Sequence, residues 1–253
     1  MASFFGEVVE VYRSSRKQQD IFWNVYVARP LAAALVYFLR RTPITPNQVS
    51  FLGVFVFFGS VALLVGWRDP IAMVLAALVL QFSYLFDCAD GQLARLKGMT
   101  SNVGAYLDFF MDEVKALLLV AACGARLWLQ FDEPIWLLAG MLGVMLVAIG
   151  TSLTNFVRRP EYAGHEIKPG ASAMKKAMPQ SLVGRIVWVL ERIAQWIVHY
   201  PSWFLYIALL DLVPGVNGAL VFLFFYLGIY VAYVGRTSLG VFVRLAHPGF
   251  YRP

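Results

Sequence analysis

The stretch from Asp87 to Asp112, DCADGQLARLKGMTSNVGAYLDFFMD, sets four carboxylates into a chain whose other long segments are apolar. Asp87 and Asp90 stand three apart, and Asp108 and Asp112 four apart. Each pair therefore shares a helix face. Gly91 and Ala94 continue the first face and Gly104 the second, so the acidic surfaces are bordered by residues too small to hold off a ligand. This is the pattern of a ligand cleft. Helix capping alone does not call for two same-face pairs flanked by Gly and Ala.

Converging carboxylates at membrane depth repel one another, so they protonate or take up cations. Cations are the better reading. With only oxygen ligands on offer, a hard divalent ion such as Mg²⁺, Mn²⁺ or Ca²⁺ fits, and two ions balance four charges. Carboxylates that hold two ions suit phosphoryl transfer. Lys115 falls roughly 20° from Asp108 around a helix, which points it into the cluster, where it offsets charge or binds a substrate phosphate. Cys88 beside Asp87 reads as a small buried apolar residue, because a hard-metal site does not recruit it.

The segments that position these groups are read as membrane helices. A chain of 253 residues with 60% hydrophobic and 14% charged residues is not a soluble globular domain. Spans are predicted over roughly 49–67, 71–93, 103–129, 135–157, 196–213 and 216–236. The fifth is the weakest, since His199 and Pro201 interrupt its start. The expected architecture is an all-α integral membrane bundle of six transmembrane helices with an N-terminal interfacial amphipathic helix. Residues 1–48 form the interfacial part, 49–244 the six-span domain, and 245–253 a short cytoplasmic tail.

Thr45 or Asn47 can cap the first span after the breaks at Pro43 and Pro46. The loop Arg68–Pro70 is short enough to force an antiparallel hairpin, and residues 96–102 read as the turn that brings the two carboxylate pairs together. The loop 158–195 is expected to carry an interfacial helix from about Ser181 to Gln195. Acidic and basic residues in positions 7–20 argue against a secretory signal, so the chain is expected to keep its N-terminus.

Of the 21 Lys and Arg residues, six precede the first span, two lie between the second and third, and seven between the fourth and fifth. The positive-inside rule then puts both termini and the aspartates at the cytoplasmic face. The net charge of +6 is attraction to a membrane surface, with no nucleic acid implied. Cys88 and Cys123 imply no disulfide framework, and His165, His199 and His247 are isolated.

The pattern D-x2-D-G-x2-A-R-x8-G-x3-D-x3-D is filled at every position by Asp87, Asp90, Gly91, Ala94, Arg95, Gly104, Asp108 and Asp112. It resembles the signature of the class I CDP-alcohol phosphatidyltransferases. The resemblance implies a membrane enzyme that joins a CDP-alcohol donor to an acceptor hydroxyl, lipid or polar alcohol, through a phosphodiester and releases CMP. By the same resemblance, Asp87, Asp90, Asp108 and Asp112 hold two ions, Mg²⁺ or Mn²⁺, and Asp112 also serves as general base. Gly91, Ala94 and Gly104 let the cytidine diphosphate lie against backbone, and Arg95 meets phosphate oxygens or serves as a positive-inside anchor.

The segment TPNQVS resembles the TPNxxT approach to the first span in many members, which makes Asn47 a nucleotide contact or a helix cap. Glu113 departs from the basic residue that many relatives carry after the last Asp. Homodimers are usual in such a family, with the cleft within each protomer. Arg158, Arg159 and Arg236, at predicted cytoplasmic span ends, are candidates for an anionic acceptor or are topological anchors. The donor's identity stays open, with RTPITPNQVS leaning slightly toward a CDP-linked head group passed to a lipid or soluble alcohol. An ion or proton transporter and a metal-binding membrane scaffold are the rival classes, and both leave Gly91, Ala94 and Arg95 unexplained.

Overall fold

The computed structural model describes residues 4–17, 20, 23–163, 181–182, 184–186, 188 and 200–247. Every regular element among them is helical, so the all-α expectation holds. Most of the predicted helix over 181–195, the residues from 248 onward, His165 and His199 lie outside the described residues.

Helix α1, Phe4–Ser15, buries Val11 and Ser15 and exposes Phe4, Phe5 and Val9, which is the amphipathic pattern expected. Among its described residues the N-terminal interfacial part comprises more than one helix. After Ser15 the chain leaves the helix and returns through a π-helical stretch, Asn24–Ala28, into α2, Arg29–Leu39. The Ser14 and Ser15 hydroxyls bond back to the Glu10 and Val11 carbonyls at 2.8 and 2.6 Å, competing with helix continuation there. Ala32, Ala33 and Val36 of α2 pack in one cluster with Val11, Cys88 and Leu93, and Cys88 is buried as its sequence context implied.

Helix α3, Pro46–Gly66, starts with a full capping box in which Thr45 and Gln48 satisfy each other's backbone donors. Helix α4, Pro70–Leu96, follows after a short turn capped by Asp69, making the predicted hairpin. Inside it the Ser60 and Ser83 hydroxyls donate across the pair to the Ala76 and Gly53 carbonyls, each at 2.7 Å. Helix α5, Asn102–Phe131, and helix α6, Ile135–Val157, form the next hairpin. A Cβ at Gly124 of α5 would stand 2.7 Å from the Gly140 Cα of α6, so these backbones approach closely, as small residues allow in membrane bundles.

A single turn, α7 (Pro160–Ala163), then α8 (Tyr200–Leu210) and α9 (Gly218–Ala246) complete the described chain. Among the described residues α3, α4, α5, α6 and α9 are long and apolar enough to cross a membrane. The predicted fifth span appears as α8, 11 residues long and starting where the described residues resume. The last span runs ten residues past its predicted end at 236, because Arg236, Thr237 and Ser238 sit within a helix whose apolar residues continue through Val241 and Leu245.

Arg126 is fully buried and donates to the carbonyls of Leu64, Trp67, Arg68 and Asp69 at 2.7–3.2 Å. It thereby satisfies the end of α3 and the turn that follows, where a helix leaves carbonyls unpaired. Asp211, 3.7 Å away, balances its charge.

Candidate active site

Asp87 and Asp90 lie near the end of α4, and Asp108 and Asp112 near the start of α5. The intervening turn holds Gly98 at φ +63°, a left-handed conformation that glycine adopts without strain. Ser101 caps α5 by accepting from the Gly104 amide at 3.0 Å. Lys97, at the end of α4, donates to the Thr42 and Ile44 carbonyls at 2.7 and 2.8 Å. The segment leading into α3 is therefore tied to the end of the helix that bears Asp90.

Asp87, Asp108 and Asp112 each offer one carboxylate oxygen, and these oxygens lie within 4.8 Å of one another. Asp90 stands apart from this group. It is buried, 7% exposed, and accepts a short hydrogen bond from the Ser50 hydroxyl of α3. Beside it opens a cleft of about 220 Å³ whose lining includes Asn47, Asp90, Gly91, Ala94, Arg95, Gly104 and Asp108. A larger groove of about 440 Å³ between Leu153 and the end of α9 is almost wholly apolar and offers a phosphate nothing to bind.

Lys115 points into the carboxylates as expected. Its Nζ lies 2.7 Å from Asp87 Oδ1 and 3.7 Å from Asp112 Oδ1. Three carboxylates and one ammonium leave two negative charges, and all the candidate ligands are oxygens, so the donor set fits a hard divalent cation. Asn47 is released from the capping alternative, because Thr45 caps α3. Its Oδ1 would lie 3.9 Å from a Cβ at Gly104, across the cleft.

The structure does not bring every candidate to the cleft. Arg158 lies over the ring of Phe109 at 5.4 Å, next in sequence to Asp108, while Arg159 is exposed at the same helix end. Arg236 is exposed on α9, one turn beyond Tyr233, whose hydroxyl bonds Thr154 of α6. None of the three arginines lines the cleft. Sequence reasoning missed Ser50, Met99, Thr100 and Ser101 on the cleft wall. Ser50 lay in the quoted TPNQVS segment, four residues after Pro46 and so on the face of its helix turned to Asp90.

The family model described as CDP-alcohol phosphatidyltransferase matches residues 43–210. The chain belongs to that family. Among curated relatives, a phosphatidylinositol phosphate synthase of Corynebacterium glutamicum is 29% identical over 159 residues, covering 62% of this chain and 68% of that protein. A bifunctional IPC transferase and DIPP synthase of Aquifex aeolicus is 29% identical over 107 residues, 42% of this chain. Its counterpart in Thermococcus kodakarensis is 32% identical over 115 residues, 43% of this chain. The aligned stretch spans only 24% of the length of each bifunctional relative. Membership in this family, together with five long apolar helices, makes the chain a multi-pass membrane protein. A transporter or a scaffold is accordingly not favoured.

Proposed function

We propose that this protein transfers a substituted phosphate group from a CDP-alcohol to an acceptor hydroxyl and releases CMP. The observation that carries the reading is the cleft shared by Asn47, Asp90, Gly91, Ala94, Arg95, Gly104 and Asp108, beside the three grouped carboxylates, in a chain of this family. The cytidine diphosphate lies against Gly91, Ala94 and Gly104, Asn47 contacts the nucleotide, and Arg95 donates to a phosphate oxygen. Asp87, Asp90, Asp108 and Asp112 would hold two ions, Mg²⁺ or Mn²⁺, which when bound neutralise charge on the diphosphate and on the departing CMP.

Asp112 accepts the acceptor's hydroxyl proton while the hydroxyl oxygen bonds to the attacked phosphorus. The bond from that phosphorus to the bridging oxygen breaks, and its electron pair leaves with CMP. Lys115, held between Asp87 and Asp112, offsets the carboxylates' mutual repulsion. Arg158 or Arg236 receives an acceptor that carries phosphate. Both termini and the site face the cytoplasm, and the enzyme works as a homodimer with one cleft in each protomer.

The Corynebacterium relative's name contains a phosphatidylinositol phosphate product, which favours a lipid-bearing donor and an anionic acceptor. The RTPITPNQVS segment leans slightly the other way. Mass spectrometry of products from a matrix of CDP-alcohols and acceptors decides between them. Exchange of radiolabelled CMP into a CDP-alcohol tests the reaction class itself. Exchange is expected with Mg²⁺ or Mn²⁺ and should stop on chelation. Undiminished exchange in excess chelator would remove the ions, and no exchange with any CDP-alcohol would remove the reaction.

A further inference from the structure

Arg95 is held from outside the motif. Its Nε donates to the Ser15 carbonyl at 2.5 Å, across 80 positions of sequence. Ser15 ends α1, and its carbonyl is among those a helix leaves without an internal donor. The C-terminal end of a helix also carries partial negative charge, which suits a guanidinium. Because the guanidinium is a rigid plane, fixing Nε fixes the direction of both terminal nitrogens.

Both nitrogens lie close to Gly91, which lines the cleft together with Arg95. A Cβ at Gly91 would stand 3.5 Å from Nη1 and 3.7 Å from Nη2. Nη2 is buried with no hydrogen-bond partner among the described residues, a costly arrangement unless a ligand supplies the acceptor. Helix α1 is itself anchored. Val11 is 2% exposed, the Tyr12 hydroxyl donates to the Val25 carbonyl at 3.0 Å, and Arg40 pairs with Glu7 at 2.6 Å.

We infer that α1 is a positioning element for the nucleotide: its terminal carbonyl at Ser15 aims the free edge of Arg95 at a diphosphate oxygen in the cleft. The inference rests on the cleft being the seat of a CDP-linked donor. Ser15 touches no substrate and acts only through Arg95. Loss of α1 docking leaves Arg95 charged but unaimed, so nucleotide affinity falls while ion binding, built on α4 and α5, persists.

The test uses the full chain in mild detergent and measures the Kd for CDP in the presence of Mn²⁺ alongside the Kd for Mn²⁺ alone. Val11→Asp places a charge in the contact that docks α1, and Glu7→Arg sets like charges against Arg40. Each is expected to weaken CDP about tenfold or more, the range of one charge-assisted hydrogen bond, and to leave Mn²⁺ affinity within about twofold. Adding Arg40→Glu to Glu7→Arg restores the pair and returns CDP affinity toward wild type. In an Arg95→Ala background the same changes cost nothing further, because the residue they act through is gone.

A full additional loss in that background, or a parallel loss of Mn²⁺ binding, overturns the inference. So does unchanged CDP affinity in the Glu7→Arg chain, which also decides the matter if Val11→Asp does not fold. A wild-type protein that binds Mn²⁺ and no CDP would overturn the reading of the cleft instead.

Discussion

Asp112 and Asp87 both contact Lys115 but differ in exposure. Asp87 makes the 2.7 Å contact and its side chain is 15% exposed, whereas Asp112 lies at 3.7 Å and is 48% exposed. In the proposed reaction Asp112, the more open of these two, takes the proton of the acceptor hydroxyl. Asp112→Asn should therefore leave CDP binding measurable while turnover falls by roughly 10²-fold or more, the usual contribution of a positioned base. Turnover near wild type would take Asp112 out of that role.

Arg158 and Arg236 also belong to this scale. If the acceptor carries phosphate, Arg→Ala at one of them should raise the acceptor KM about ten- to a hundredfold, the worth of a bidentate guanidinium contact, and barely move the donor KM. Equal effects on both substrates, or none, would leave these arginines as anchors.

At the scale of elements, the bundle spends its buried polar groups on closing helix ends and joining helix pairs. Arg126 serves four carbonyls of the α3–α4 turn and faces Asp211. Removing one partner of such a buried pair costs about 3–5 kcal/mol. Arg126→Ala is expected to lower the melting temperature in detergent strongly while sparing the CDP affinity of the molecules that remain folded. Loss of CDP affinity at unchanged stability would contradict a purely structural role. Gly124→Val makes a second, independent test, since the new Cβ would meet backbone of α6 that cannot turn aside. Forced separation of α5 and α6 should cost about 1–3 kcal/mol, read as a lower melting temperature.

At the scale of the whole molecule, contacts distant in sequence hold the helix ends of the bundle together. Ser15 at the end of α1 meets Arg95, Arg158 after α6 meets Phe109, and Arg244 near the end of α9 lies over the ring of Tyr162 at 4.7 Å. The ends of α1, α6 and α9 are thus each held by a contact with a neighbouring segment. Assembly is the remaining question at this scale. A homodimer with an independent cleft in each protomer should show a dimeric mass in mild detergent, and full activity from a monomer would count against it.

Much of the site was legible because helix geometry is local. Spacings of three and four fix a shared face for Asp87 with Asp90 and for Asp108 with Asp112, and a short turn between the helices brings Asp108 and Asp112 to Asp87, while Asp90 meets Ser50 of α3. The same period turns Lys115 toward the cluster. Apolar length marked α3, α4, α5, α6 and α9, although it could not place the end of α9, because Arg236–Ser238 interrupt the apolar pattern and leave the backbone free to continue. Sequence pattern could not show which helix supplies the partner of a buried polar group. Asp90 finds Ser50 across 40 positions, Arg95 finds Ser15 across 80, and Arg126 finds the turn after α3 across roughly 60. Those choices depend on how helices rotate and cross when they pack, and tertiary structure alone decides that. Inside an apolar bundle a polar group must meet a partner wherever the fold brings one, so the interactions that aim the site are the ones its local sequence does not record.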